Sequence, residues 1–267
     1  MTNFYIDITS DPVCIWCYIG RKRLDKAIAL YKKVYPNGRH DTFTVNWKAY
    51  YLDASSPSKG IPFEERMLQK LTSSKPGRDH TNATDKDKEL ARHLKERLAS
   101  IGRQEGLTLS FQGKIGNTRS AHRAIAFSRT QHSSNESSQD EPESSITSVQ
   151  DRFVMALFAA YFEGTADITS HKDLADVAES TGLSRAEMLA WLDSGKGGED
   201  IDEQDRAAKE LGLKGVPHFT VQSHKVDGSR DVQDFLELFV KIKEEDQEQA
   251  QAIRVSIGGA VEPGITA

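Results

Sequence analysis

Ser10-Asp11-Pro12-Val13-Cys14-Ile15-Trp16-Cys17-Tyr18-Ile19-Gly20 contains both cysteines of the chain, with two residues between them. On its N-terminal side, Phe4-Tyr5-Ile6-Asp7-Ile8 alternates apolar and polar side chains and is rich in β-formers, the pattern of a half-buried strand. Ser10-Asp11-Pro12 breaks that strand. On the C-terminal side, apolar residues recur at helical spacing from Trp16 to about Val34, at Ile19, Leu24, Ala27, Ile28 and Tyr31. Pro36-Asn37-Gly38 ends the run, and Phe43-Thr44-Val45-Asn46-Trp47 reads as a second strand. Strand, C-x-x-C turn, helix and strand make a βαβ unit with the cysteine pair at its strand-to-helix turn.

The middle of the chain is helical in pattern. Residues 62–71, 85–102, 117–129, 149–162, 174–181, 184–194 and 201–211 carry helical periodicity, and Ser184 with Glu187 forms a capping-box pattern. Residues 102–116 read as a turn-rich connector. Residues 131–148 are rich in Ser, Glu, Asp and Gln with few apolar side chains and read as a flexible surface loop. After Gly215 two short strands follow, Phe219-Thr220-Val221 and Lys225-Val226. An amphipathic helix over 232–243 turns Val232, Phe235, Leu236, Phe239 and Val240 inward. Residues 244–267 read as a loose tail. The expected fold is α/β. One small sheet is built from both chain ends, residues 1–50 and 213–243, with a helical domain over 60–212 inserted between them.

Composition narrows the function. The chain has 267 residues and a formal charge of −5, which argues against nucleic acid as a partner because such domains carry a basic stripe. No apolar run reaches the ~20 residues needed to span a bilayer. Met1-Thr2-Asn3-Phe4-Tyr5-Ile6-Asp7-Ile8 lacks the regions of a secretory signal. A cytoplasmic protein with no membrane partner is the expectation, and there an isolated C-x-x-C reads as a redox dithiol or a metal half-site.

Thiol–disulfide exchange needs a thiolate and a second thiol placed to resolve the mixed disulfide. Cys14 falls just before a helix, where unpaired amides and the helix dipole favour negative charge. Cys17 lies one turn further in. Cys14 is therefore the expected nucleophile and Cys17 the resolving thiol, with Trp16 as a hydrophobic rim or as simple packing at the helix start. Structural zinc takes four protein ligands. With no third cysteine, His218, His224 or His122 would have to complete the shell, so no metal is expected.

Further segments carry a resemblance. The stretch over 10–20, Gly116-Asn117-Thr118-Arg119-Ser120-Ala121-His122-Arg123, Ala160-Tyr161-Phe162-Glu163-Gly164 with Asp167-Ile168, and Gly215-Val216-Pro217-His218-Phe219 occur in the order seen in the DsbA-like, FrnE-like thioredoxin-fold family. The chain resembles that family from about residue 4 to 240. The resemblance implies a thioredoxin fold with an inserted α-helical domain. It also implies that Val216-Pro217 is cis and faces the dithiol, where the backbone before the proline pairs with an extended substrate. Relatives include kappa-class glutathione transferases and 2-hydroxychromene-2-carboxylate isomerases, which carry serine in place of Cys14 and use glutathione. Asn117 and His122 are carried over as cleft residues and Arg123 as an anion contact. The plainer readings are a helix cap for Asn117 and surface solvation for Arg123. His218 is either a proton-transfer group or an ordinary strand residue. Ile15 departs from the family's proline.

Three functions follow as expectations. The first is a dithiol oxidoreductase acting on protein or small-molecule disulfides. The second is a glutathione-dependent transferase or isomerase of small aromatic or polyketide molecules, which would keep its activity without Cys17. The third is a holdase whose action would survive loss of both thiols. No tightly bound cofactor is expected, glutathione is the candidate redox partner or cosubstrate, and monomer and homodimer both stay open.

Overall fold

The computed structural model describes residues 1–73, 83–131 and 148–258, with side chains up to 253. β1 (Asn3–Ser10), α1 (Ile15–Val34), one 3-10 turn (Gly38–His40) and β2 (Thr42–Ala49) form the expected βαβ unit. β3 (Ile61–Pro62), α2 (Phe63–Ser73), α3 (Asp85–Gln104) and β4 (Lys114–Ile115) follow. Five further helices succeed them: α4 (Arg119–Thr130), α5 (Val149–Phe162), α6 (His171–Ser180), α7 (Arg185–Asp193) and α8 (Gly198–Glu210). β5 (His218–Val221), β6 (His224–Asp227) and α9 (Val232–Gly258) complete the described chain.

The main sheet has the order β2-β1-β5-β6, so both chain ends build it. β1 runs parallel to β2 and antiparallel to β5, with Ile8 opposite Trp47 and Phe219. Burial alternates strictly along β1 and β2. Phe4, Ile6, Ile8, Phe43, Val45 and Trp47 are buried, while Tyr5, Asp7, Thr9, Thr44, Asn46 and Lys48 are half-buried or exposed. Helix α1 packs on the apolar face so closely that a Cβ on Gly20 would meet the Phe219 ring at 3.1 Å. Phe235 and Phe239 of α9 are fully buried against the same core.

The inserted helices share that core rather than forming a separate one. Phe153, Phe158 and Phe162 of α5 belong to one buried cluster with Phe4 and Ile8. Tyr18 stacks on Phe158 at 5.2 Å between ring centroids. The fully buried Arg21 of α1 donates to both carboxylate oxygens of Asp151 in α5, at 3.1 and 2.6 Å, and Trp47 Nε1 donates to the same carboxylate at 2.9 Å.

The insert also covers the β2 edge of the sheet. The backbone N–H groups of Trp47, Ala49 and Tyr51 donate to the side chains of Gln150, Gln204 and Asp205 at 3.2, 3.1 and 2.8 Å. Alternate amides along an edge strand point outward and would otherwise be free to pair with another chain.

Two expectations change. The helix of the C-terminal region does not stop at 243 but continues to Gly258, so residues 244–258 are not a loose tail. The segment Glu244-Glu245-Asp246-Gln247-Glu248-Gln249-Ala250-Gln251 is rich in helix formers and has neither Gly nor Pro, so nothing in it ends the helix. The small β3–β4 ladder inside the connector, pairing Ile61 with Ile115, is the other change. Two-residue strands are too short to show a period. Of the Ser/Glu-rich loop, residues 132–147 lie outside the described residues.

Candidate active site

β1 ends at Ser10, and the chain turns through Asp11-Pro12-Val13 into α1. The Asp11 carbonyl accepts the Cys14 N–H at 2.9 Å, which tightens that turn. Cys14 is the N-cap of α1 in extended conformation, with no side-chain capping bond. Its carbonyl accepts the Cys17 N–H at 3.0 Å, so the two residues bracket the first helical turn. Both cysteines are free and buried. Cys17 is fully enclosed and Cys14 retains 5% exposure. Trp16 stands beside them, 39% exposed.

The opposite wall comes from the other end of the chain. Val216-Pro217 is cis, and the Cys14 thiol donates to the Val216 carbonyl at 3.4 Å. His218, next in line, opens β5. It is buried, and its Nδ1 lies 2.6 Å from Asp227 Oδ1 on β6. The C-x-x-C turn and the cis-proline turn therefore meet at one end of the sheet, although 202 residues separate Cys14 from Val216.

Burial pushes the Cys17 thiol well above the ordinary range, and its hydrogen bond with Cys14 and the Cys14 charge act in the same direction. The Ser10 hydroxyl and the Asp11 amide oppose that shift. Asp11 itself is buried, and burial raises its carboxyl to about 6, although the Leu52 and Val13 amides donate to it. His122 lies behind Asp11, with its Nε2 3.9 Å from Asp11 Oδ1 and 3.2 Å from the Tyr50 carbonyl. Burial lowers this imidazole to about 4, so the neutral ring donates Nε2–H to Tyr50.

The family profile of the DSBA-like thioredoxin domain matches residues 5–240. The chain belongs to that family. Among solved structures, a probable DsbA oxidoreductase from Streptomyces coelicolor is 19% identical with a TM-score of 0.66, over 98% of this chain and 94% of that one. A putative protein disulfide isomerase from Nitrosomonas europaea is 14% identical with a TM-score of 0.56, over 91% and 98%. A 2-hydroxychromene-2-carboxylate isomerase is 16% identical with a TM-score of 0.51, over 96% and 100%. At these identities the likeness is one of fold. Among curated proteins nothing matches.

Within this DSBA-like frame, the expected site residues separate. Cys14, Cys17, Trp16, Val216, Pro217 and His218 gather at one end of the sheet. Of the residues carried over around α4, His122 lies beside this end of the sheet, next to Asp11, and Arg123 does not. Arg123 is not an anion contact. Its guanidinium is buried and donates to the carbonyls of Lys196, Leu192 and Trp191 at 2.8, 3.0 and 2.8 Å, closing the end of α7. Neither is it a solvated surface residue. Asn117 is not the N-cap, which is Thr118; it stands one residue earlier, where its Oδ1 accepts the Arg119 N–H at 2.9 Å and its Nδ2 donates to the Ala54 carbonyl at 3.2 Å. His122 is buried behind Asp11 and lines a cavity of about 370 Å³ with Ser10, Pro12, Trp47 and Gln150, a place that agrees with its expectation as a cleft residue. Asp11 and Ser10 are the site residues that sequence reasoning missed. Their signal was adjacency to the C-x-x-C, but nothing in the pattern distinguished a buried acid from an ordinary strand breaker. Among the described residues no cluster of His, Cys, Asp or Glu could hold a metal ion. No described helix is long and apolar enough to cross a membrane.

Proposed function

We propose that the protein is a thiol–disulfide oxidoreductase in which Cys14 is the nucleophile and Cys17 resolves the intermediate. The observation that carries this reading is the placement of Cys14, at the N-cap of α1 with its thiol on the Val216 carbonyl. Exchange proceeds through a thiolate at this less buried end of the pair, with the second thiol one helical turn away to resolve the mixed disulfide. The carbonyl that now accepts the thiol proton becomes available, once Cys14 is a thiolate, to an N–H of an extended substrate.

In the reducing direction, Cys14 attacks a substrate disulfide and releases one substrate thiolate. Cys17, deprotonated, then attacks Cys14 Sγ, releases the second substrate thiolate and leaves a Cys14–Cys17 disulfide. The raised affinity of Cys17 for its proton makes its deprotonation the step that needs help. Ser10 and the Asp11 amide, which favour the Cys17 thiolate, supply part of it. Glutathione is the proposed small-molecule partner that returns the pair to its starting state, and the cytoplasm is the proposed compartment.

Turnover of a disulfide substrate by the wild type and two variants tests this. Cys14→Ala should abolish turnover, and Cys17→Ala should accumulate a mixed disulfide at Cys14, read by mass spectrometry. Unchanged turnover in Cys14→Ala would refute the reading. Activity on small aromatic substrates that needs glutathione and survives Cys17→Ala would favour the transferase or isomerase alternative.

A further inference from the structure

Away from the dithiol, three helix ends meet around His171, the first residue of α6. Its Nδ1 is 2.8 Å from Asp193 Oδ1 at the end of α7. Its Nε2 is 3.2 Å from the Ser120 hydroxyl in the first turn of α4. With a proton on Nδ1 shared with the carboxylate, Nε2 is the acceptor for the Ser120 O–H. A carboxylate on one ring nitrogen and a hydroxyl on the other is the order in which one group orients an imidazole and the imidazole takes a proton from the other.

The relay is open to a reactant. The side chain of His171 is 35% and that of Asp193 70% exposed, and Ser120 is half-buried. Ser120 stands second in α4, so its own amide and that of Ala121 are among those a helix leaves without an intrahelical acceptor. Asn117 occupies only the Arg119 amide. Ala121 is fully buried, so the amide of the half-buried Ser120 itself is the donor at this helix end suited to a developing oxyanion. The neighbouring cation, Arg119, is held by Asp202 at 2.8 Å, which leaves no free charge beside Ser120 on that helix turn to select an anionic substrate.

We propose that Ser120, His171 and Asp193 form a second, hydrolytic site acting on small neutral acyl esters. Ser120 Oγ attacks the ester carbonyl while its proton passes to His171 Nε2. The C–O bond to the alcohol breaks, and the imidazolium returns that proton to the leaving alkoxide. Water then gives a proton to His171, attacks the acyl-serine and releases the carboxylic acid, as the imidazolium re-protonates Ser120. Asp193 is a positioning residue that fixes the ring. The site is independent of the dithiol and of the function proposed for it.

The test uses the full chain with Cys14→Ala and Cys17→Ala, since thiols also react with activated esters. A fluorophosphonate probe should modify Ser120, located by peptide mass spectrometry, and p-nitrophenyl acetate hydrolysis should vanish in Ser120→Ala. His171→Ala should slow labelling at least ~100-fold, the lower bound for a lost general base, and added imidazole should restore part of the rate. Asp193→Asn should slow it and Asp193→Glu should retain it. No phosphonylation of Ser120 in the parent chain overturns the proposal without recourse to any further variant. A labelling rate unchanged by His171→Ala overturns it equally.

Discussion

Asp11 and His122 show how two buried titratable side chains offset one another behind a reactive turn. Asp11 is raised to about 6 from 3.8, so its contribution to stability is full below the lower value and is lost as pH rises through 6. His122 is lowered to about 4 from 6.5, so its contribution is present above 6.5 and is lost as pH falls through 4. Across that window the two slopes oppose. Asp11→Asn removes one of them. The variant should therefore lose stability on acidification from 6.5 to 4 relative to wild type, by on the order of 2–3 kcal/mol, read as urea midpoints against pH. Equal pH slopes in the two proteins would show that Asp11 does not titrate in this window. At this scale the sequence made legible where Cys14, Cys17 and Pro217 stand, the first two at the start of α1 and the proline just before β5. It did not do so for Arg123. Motif resemblance identifies a residue but not its direction, and this guanidinium turns onto two carbonyls of α7 and that of Lys196 just beyond it.

Helix and strand patterns were readable wherever an element has one wet face. The alternation of β1, the spacing of α1 and the span of α5 all follow from side chains that divide between core and solvent. What the pattern could not reveal is how the elements join. Arg21 falls at helical spacing on the same stripe as Cys17, Leu24, Ile28 and Tyr31, but the pattern does not show that its buried charge is received by Asp151, 130 residues away. The pair also holds Trp47, so one carboxylate ties α1, α5 and β2. Removing Asp151 leaves the buried Arg21 only the partly exposed Asp25 as a partner and takes the acceptor from Trp47 Nε1. Asp151→Ala should therefore destabilise the fold by about 3–5 kcal/mol in denaturant titration. A loss below about 1 kcal/mol would mean that water reaches Arg21 in the variant. The side-chain cover on Trp47, Ala49 and Tyr51 has the same long-range origin. Gln150, Gln204 and Asp205 are polar residues on helices, and only the folded chain shows that they complete a sheet edge.

Over the whole molecule, discontinuity is the organising fact. The sheet needs both chain ends, and Lys243 of α9 reaches back to Asp41 at 2.7 Å, both side chains being buried. The reading of a thioredoxin-like unit over 1–50 and 213–243 with an insert over 60–212 describes connectivity. The core does not follow that division, because α5 rings pack among sheet residues. Unfolding should therefore be one cooperative event. Far-UV circular dichroism and tryptophan fluorescence, which samples Trp16 and Trp47 near the sheet and Trp191 in the insert, should give coincident urea transitions. Separate midpoints would mean that the insert stands alone. The same long-range closure brings Val216 to Cys14, and the proposed chemistry rests on that meeting. The measurement that tests it most directly is titration of the Cys14–Cys17 pair in glutathione buffers of graded redox ratio, with thiols trapped by alkylation and counted by mass. The account predicts one two-electron transition between a dithiol and an intramolecular disulfide, absent from Cys14→Ala and Cys17→Ala. A chain that never forms that disulfide, and instead holds a stable glutathione adduct on Cys14 at every ratio, would contradict it.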